Sequence, residues 1–491
     1  MTLVDLRLVP AALTSWAVTG SGICWSWRGA LIAAAAAVGV TATTGWWAGS
    51  RDRRRKPDLR AVSAGAAAVA LVGFGFAVAV GLRADHARTH PVTQYFGRST
   101  TVIVTPTETP RILTGGRVMF RATLLQLDGA RSGGRVVVFA SGSGYADLVV
   151  GQPAAFRTGV SHPIRRDLTV AVLAARGPPT RGQPAPVHQV AHRIRAAFAQ
   201  AARLVLDTDQ AAVLPALVLG DTSAVPAPVT AQFRVAGLTH LTAVSGANVT
   251  IVCGAVLLSA ALVGPRIAVL LAAVALLGFV VVVQPSASVL RAAVMAAITL
   301  LAVVTRRRRQ VLPALAATVV GLMVAAPELA VDAGFALSVS ATAALVVLAP
   351  VWSRRLSGRG WPRPLADAVS VALAAQLVTA PLVAGLSGSV SLVGVTANLL
   401  VAPVIPPITV IGTAAAALCP LWPAGAQLLI RSTEPPVWWL LTVARYAADM
   451  PAAAVPVPSG VPGVVTVAIA VAAIAATWHW AVSPRRDTIV R

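Results

Sequence analysis

Long apolar runs recur along most of this chain, at residues 8–27, 30–47, 61–82, 241–263, 267–283, 289–304, 311–326, 331–350, 365–386 and 461–480. Each comes close to the ~20 residues that a helix needs to cross a hydrocarbon core of about 30 Å. The pattern therefore predicts a mainly α-helical polytopic membrane protein with about ten transmembrane helices. A further apolar stretch, 390–417, is broken in its middle by Asn398, Pro403, Pro406 and Pro407. The last span must run inward and so begin outside, which makes this stretch enter and leave on one side. It does so either as a re-entrant pair of half-helices buried in protein or as two shorter full spans.

Between residues 83 and 205 the period changes. Alternating runs such as TTVIV, VMFRATLLQL, RVVVFA and LTVAVLAA are separated by Gly, Pro, Thr and Asp clusters, the signature of short strands and turns. About five strands in roughly ninety residues fit a small OB-like barrel. The segment VHQVAHRIRAAFAQAARLVL follows, with His188, His192 and Arg195 at helical spacing opposite apolar residues, and reads as a helix lying along the outer membrane surface. The expected order is a membrane segment of three helices (1–82), an external β domain (83–187), external or interfacial amphipathic helices (188–240), a transmembrane domain (241–482) and a cytoplasmic tail (483–491).

Charge orients these elements. Basic loops at residues 51–60 and 306–309, the group Arg354, Arg355, Arg359 and Arg363, and the terminal Arg485 and Arg486 all fall on one side of the span count, so both termini are read as cytoplasmic. Trp25, Trp27, Trp46, Trp47, Trp438 and Trp439 read as interface anchors. The first apolar run leads directly into a second, so the amino-terminal segment reads as anchored rather than as a cleaved signal. Cys24, Cys253 and Cys419 lie in or beside apolar runs and offer no disulfide to an external domain.

Composition sharpens the class. With 56% hydrophobic residues and only 12% charged, a soluble protein is excluded, yet the net charge is +23. Such an excess calls for anionic partners, lipid headgroups or nucleic acid. Residues 83–205 hold sixteen arginines against five acids, on the side where positive charge has no topological cause. Binding a polyanion accounts for the excess, with Arg98, Arg117, Arg121 and Arg135 as candidate phosphate contacts and Tyr95 and Phe120 as candidate stacking platforms. Phe96, Phe139, Tyr145 and Phe156 extend that aromatic set. The plainer alternative is an arginine bias in the coding sequence, with the aromatics filling the barrel.

The most polar stretch within the membrane part is LVLGDTSAVPAPVTAQFRVAGLTHLTAVSGANVTI, residues 217–251. It places His240, Ser245, Gly246 and Asn248 where a span prefers Leu. Intramembrane polar groups mark pathways, and small residues let helices approach closely. The plainer reading of Ser245 and Gly246 is a helix cap with a tight crossing.

GLTHLTAVSGANVTIV resembles the signature of the ComEC family, membrane channel proteins of natural competence that bring single-stranded DNA into bacteria. Three later segments are similar to the family in the same order: SVLRAAVM (288–295), VDAGFALSVSATAAL (331–345) and LVGVTANLLVAPVIPP (392–407). One position departs, since Asn248 stands where the family pattern carries a second histidine. The resemblance implies a channel in the bacterial cytoplasmic membrane, an OB-like domain at the position of the β segment, single-stranded DNA as cargo, a cytosolic DNA motor, an external DNA receptor and a separate nuclease. No cofactor or metal is implied. Many members carry a carboxy-terminal metallo-β-lactamase-like domain, and the seven histidines here do not cluster as its metal site requires, so this form is expected to lack it.

By the same topology His240, Ser288, Arg291 and Asp332 share one depth, the outer leaflet. An Arg291–Asp332 ion pair that locks two helices is one reading; a wet vestibule whose cation meets DNA phosphates is the other. Gln376, Pro381 and Asn398 match a further family segment and continue the path. Two rival functions stand beside the channel: an intramembrane enzyme on lipid-linked or peptide substrates, using His240, Ser245 and Asp332, and a small-anion transporter. No phosphate-binding Gly-rich loop with a following Lys is present, so nucleotide-driven transport by this chain alone is not expected.

Overall fold

The computed structural model of the protein describes residues 5–51, 59–113, 115–142, 144–284, 286–305 and 310–482. The basic loops at 52–58 and 306–309 and the tail 483–491, on which the inside assignments partly rest, lie outside them. So do the side chains of Trp47 and of residues 474–482.

Helix α1 (Val9–Arg51) is one element only by continuity of hydrogen bonds. Ser26, at φ 76° and ψ −177°, breaks it into two arms. A Cβ added to Gly73 of α2 (Leu59–Arg88) would lie 3.0 Å from Ala34 Cβ and 3.4 Å from Thr14 Cγ2. Twenty residues of straight helix would separate those two side chains by about 30 Å. The arms therefore form a hairpin against α2, which agrees with the two spans expected at 8–27 and 30–47.

The β segment is a small closed barrel. Its strands are β1 (Ser99–Pro106), β2 (Val118–Leu127), β3 (Arg135–Ala140), β4 (Ala154–Ser161) and β5 (Thr169–Arg181). Strand β1 pairs antiparallel with both β2 and β4, β2 with β3, and β4 with β5; β3 and β5 close the ring in parallel. A register shift between Ile103 and Val104 bends β1 enough to serve both neighbours. Strict alternation sends Val102, Val104, Phe120, Leu124, Val138, Phe156 and Leu173 into one core together with Tyr145. Phe120 is completely buried, which removes it as a stacking platform for a ligand and corrects that expectation. Tyr145 and Phe156 meet edge to face in the same core.

The barrel is fastened to the helices at three turns. Thr109 Oγ1 donates to Gln284 Oε1 (3.0 Å), Arg135 Nη1 lies 2.6 Å from Glu328 Oε1, and Arg166 donates to the Cys24 carbonyl. Arg83 Nη2, at the end of α2, reaches the Val324 carbonyl (2.8 Å). The α1 bend, the end of α2 and the turns near 284 and 328 therefore share the barrel's end of the bundle, as the span count expects.

Helix α3 (Pro186–Val205) buries Ala191, Arg195, Phe198, Ala201 and Ala202. Its apolar face packs into the main helical core, next to α4 (Thr208–Leu219), instead of resting only on a membrane surface. Then follow α5 (Ala227–Val235), α6 (Thr239–Thr242), α7 (Gly246–Ser259), α8 (Pro265–Val283), α9 (Ala287–Val304), α10 (Val311–Ala325), α11 (Ala333–Val347), α12 (Ala349–Ser357) and α13 (Arg363–Ser387). Strand β6 (Ser389–Ser391) pairs with β7 (Ala454–Pro456), which ties the end of α13 to the start of the last helix. Between them lie α14 (Gly394–Val401), α15 (Ile405–Leu418), α16 (Pro423–Ser432) and α17 (Glu434–Ala448), and α18 (Val461–Val482) closes the chain. The stretch 390–417 is thus a broken helix, α14 and α15 bent by 55°.

Among the described residues six helices are long and apolar enough to cross a membrane, or seven if the bent pair is one span. The sequence pattern predicts about ten. The difference lies in α1, a single element with two arms, in the shorter α7 and α10, and in α18, of which only Val461–Ala473 enters the count. Helix α7 has 14 residues, about 21 Å, because the chain becomes helical only at Gly246.

Candidate functional site

Helix α7 begins abruptly. Ser245 occupies its N-cap but makes no capping bond to the backbone; its hydroxyl instead lies 3.3 Å from Asn248 Oδ1. Asn248 Nδ2 donates to the Leu217 carbonyl in α4 (3.0 Å), and Ser288 Oγ donates to the Val244 carbonyl just before α7 (2.8 Å). Two side chains thus pin the α7 entrance to its neighbours, and the plainer reading of Ser245 and Gly246 as a cap and a tight crossing is realised in part.

Arg291 fills the space that Gly246 leaves. A Cβ at Gly246 would stand 2.7 Å from Arg291 Nη2 and 3.4 Å from Ala292 Cβ. Arg291 is 6% exposed; its Nε donates to Ser338 Oγ (2.7 Å) and its Nη1 to Met295 Sδ (3.2 Å). These contacts bring together the first residue of α7, the fifth of α9 and the sixth of α11. The guanidinium therefore lies beside the positive N-terminal end of α7 and within the first two turns of α9 and α11.

Among the described residues no carboxylate answers that charge. The ion pairs within 4.0 Å among the described residues join Arg121 with Glu108, Arg135 with Glu328, Arg181 with Asp147 and Arg195 with Asp221. The expected alternative of an Arg291–Asp332 lock is not what forms. Asp332 is the N-cap of α11, and its Oδ1 accepts from Phe335 N (2.8 Å).

His240 stands apart from this cluster. It is exposed on α6, with its ring against the Gly237 backbone. Gln376 and Asn398 form a second polar group around that turn. Asn398 Nδ2 donates to the carbonyls of Gly394 (2.7 Å) and Gly237 (3.4 Å), and Gln376 Nε2 to that of Ser391 (3.3 Å). Gly237, at φ 70°, comes so close to α14 that a Cβ there would lie 3.0 Å from Gly394 Cα. The structure therefore resolves the expected site into two groups: Ser245, Gly246, Asn248, Ser288 and Arg291 in one, and Gln376 and Asn398 beside the His240 turn in the other.

Ser338 escapes the sequence reading, and Arg195, expected with His188 and His192 opposite the apolar residues of its helix, is instead buried among them. Ser338 is the hydrogen-bond acceptor of Arg291, and its only signal is a hydroxyl inside an apolar helix. Arg195 is 8% exposed and bridges two helix ends, donating to the carbonyls of Leu219 (2.8 Å), Val282 (3.2 Å) and Val283 (3.5 Å) with Asp221 Oδ2 at 3.6 Å. On the barrel, Arg98 and Arg117 are exposed, whereas Arg121 and Arg135 are engaged by Glu108 and Glu328. Tyr95 is half-buried and its hydroxyl donates to Asp128 (3.2 Å). Phe96 and His162 stack at 3.9 Å beside it. Among the described residues no group of three or more His, Cys, Asp or Glu side chains is placed to hold a metal.

These features define a multi-pass membrane protein that carries a small β barrel at one end of its helices and a buried, unpaired cation below it. The sequence profile of the Competence family, described as "Competence protein", matches residues 217–482, more than half of the chain, and the chain belongs to that family. It is accordingly a membrane protein of competence and DNA uptake. No curated protein and no solved structure matches it.

Proposed function

We propose that the chain is a channel, not an enzyme, through which one DNA strand crosses the cytoplasmic membrane during competence. The observation that carries this reading is Arg291. A guanidinium buried at the positive end of α7, with no carboxylate within ion-pair distance, is costly on its own. A passing phosphodiester would supply the missing anion, and the absence of a side chain at Gly246 lets the guanidinium reach the entrance of α7 to meet it. The small-anion transporter would use the same cation, so the cargo has to be tested directly. The rival enzyme loses its constellation, because Ser245 bonds to Asn248, Asp332 to the Phe335 backbone, and His240 lies beside Gly237.

The barrel is read as OB-like, supported by the strand order β1-β2-β3-β5-β4 closing on β1 with a parallel β3–β5 pair. It would receive single-stranded DNA outside through Arg98, Arg117 and the Phe96–His162 pair. The path would continue past Gln376 and Asn398. Both termini would be cytoplasmic, a cytosolic motor would pull the strand, and a separate nuclease would degrade its complement.

The test is Arg291→Ala in a competent host. Normal abundance and normal surface binding of labelled DNA are expected, with passage into the cytoplasm abolished. Arg291→Lys should keep part of the transport, because the phosphate needs a cation more than a fixed fork. Normal uptake by a well-expressed Arg291→Ala protein would end the reading.

A further inference from the structure

We propose that the groove where α12 turns into α13 binds the headgroup of an anionic phospholipid that carries a polyol on its phosphodiester. Its position follows from helix length. The segment Ala333–Ser357 starts a few residues beyond Glu328, which the barrel holds through Arg135, and runs 25 residues to the groove. At ~1.5 Å per residue that is about 37 Å, a hydrocarbon core of about 30 Å plus part of a headgroup layer. The groove therefore lies at the membrane face opposite the barrel, at headgroup depth.

Its chemistry is specific. The groove is open to the surface, with a volume of about 750 Å³, and is lined by Ser353, Arg354, Ser357, Trp361, Arg363 and Asp367. Arg354 lies in the last turn of α12 and Arg363 opens α13, and Gly360, at φ 90°, sits in the turn between the two helix ends. Among the described residues neither arginine has a carboxylate within 4.0 Å, which leaves both cations to meet a phosphate. Trp361 is 43% exposed, where an indole sits well among headgroups. Exposed Val351 and Leu365 on the same two helices carry an apolar surface from the groove toward the acyl layer.

Asp367 decides the headgroup. Ser353 donates to its Oδ1, which leaves Oδ2 as an acceptor on the groove wall. A carboxylate there opposes a dianion such as inorganic phosphate, yet accepts hydrogen bonds from hydroxyls. A glycerol phosphodiester satisfies both walls, one charge on the arginines and its hydroxyls on Asp367. Basic pockets at helix ends on the cytoplasmic side are suited to such lipids.

The full chain, exchanged into detergent with equimolar phosphatidylcholine, phosphatidic acid and phosphatidylglycerol, is expected to retain phosphatidylglycerol at least ten-fold over phosphatidylcholine by native mass spectrometry. The Arg354→Gln/Arg363→Gln protein should lose that preference, and Arg363→Gln alone should reduce it several-fold if the double variant does not fold. Asp367→Asn should lower discrimination between phosphatidylglycerol and phosphatidic acid. Undiminished retention by the arginine variants, or no preference over phosphatidylcholine, overturns the proposal. Displacement of the lipid by a single-stranded oligonucleotide assigns the groove to nucleic acid and overturns it equally.

Discussion

Arg291 Nη2 stands 2.7 Å from the point where a Cβ on Gly246 would be. The residue type at the start of α7 is therefore set by the guanidinium from α9. Gly246→Ala forces the end of the arginine to move, and a flexible side chain can do so at the low end of the about 1–3 kcal/mol typical of overpacking. The fold should survive, with a small fall in apparent melting temperature, while DNA passage drops by an order of magnitude or more. Unchanged passage at equal abundance would show that the position of Nη2 is immaterial.

Asp332 offers a separate test of whether the arginine is paired. Its carboxylate caps α11, so Asp332→Ala should cost about 1 kcal/mol, the usual loss for a cap. Arg291→Ala removes no ion pair. The two changes should add in thermal-shift measurements, with no rescue in the double variant. Recovery of abundance in that double variant would restore the lock as the correct account.

His90 gives the barrel a pH dependence. It is 4% exposed, accepts from Val92 N at Nδ1 (3.2 Å), and has Ser132 Oγ 3.4 Å from Nε2. Burial pushes its pKa below the ordinary 6.5; the Gly133 backbone opposes that, and His86 adds a smaller push downward. A histidine depressed in the folded state leaves the unfolded chain binding more protons below pH 6.5. Stability should thus be intact above that pH and fall as pH drops from 6.5 toward the folded value. His90→Gln should flatten this segment of a melting curve followed by barrel-specific proteolysis. An identical acid slope in the variant would assign it to other groups.

Much of this arrangement is legible in the residues themselves, and the failures have physical causes. Period-two alternation finds the barrel strands, and it also shows Phe120 in phase with Val118, Ala122 and Leu124, all of them buried; that parity argues for the core over a ligand face. Span counting puts Arg291 and Asp332 at one expected depth along the membrane normal. It carries no information on rotation about a helix axis, which is why an ion pair looked available when Asp332 caps its own helix. An aspartate directly before an apolar helix is a capping signal in its own right. The α1 hairpin is visible as two runs, yet its bend at Ser26 needs the contacts of Gly73 to establish it.

Arg195 tests how the helices beneath the barrel are held in register. It shares a helix face with Ala191, Phe198 and Ala202, a spacing that points it into the core, where it satisfies carbonyls at the ends of α4 and α8. Those ends lead directly to Asp221 and to Gln284, the latter a docking point of the barrel. Removing the guanidinium leaves buried carbonyls unmatched and Asp221 without its cation. Arg195→Ala should therefore cost several kcal/mol, near the about 3–5 expected when one partner of a buried pair is lost. Asp221→Asn should cost less, because Asp221 is partly exposed at 22% and its Oδ1 is already bonded to Ser223. Arg195→Lys should recover part of the loss, since one nitrogen, Nη1, already meets the carbonyls of both helices, but not the approach of Nη2 to Asp221. The check is folded yield and apparent melting temperature of the three purified variants. If Arg195→Ala matches the parent protein, the α4 and α8 ends are held by apolar packing alone.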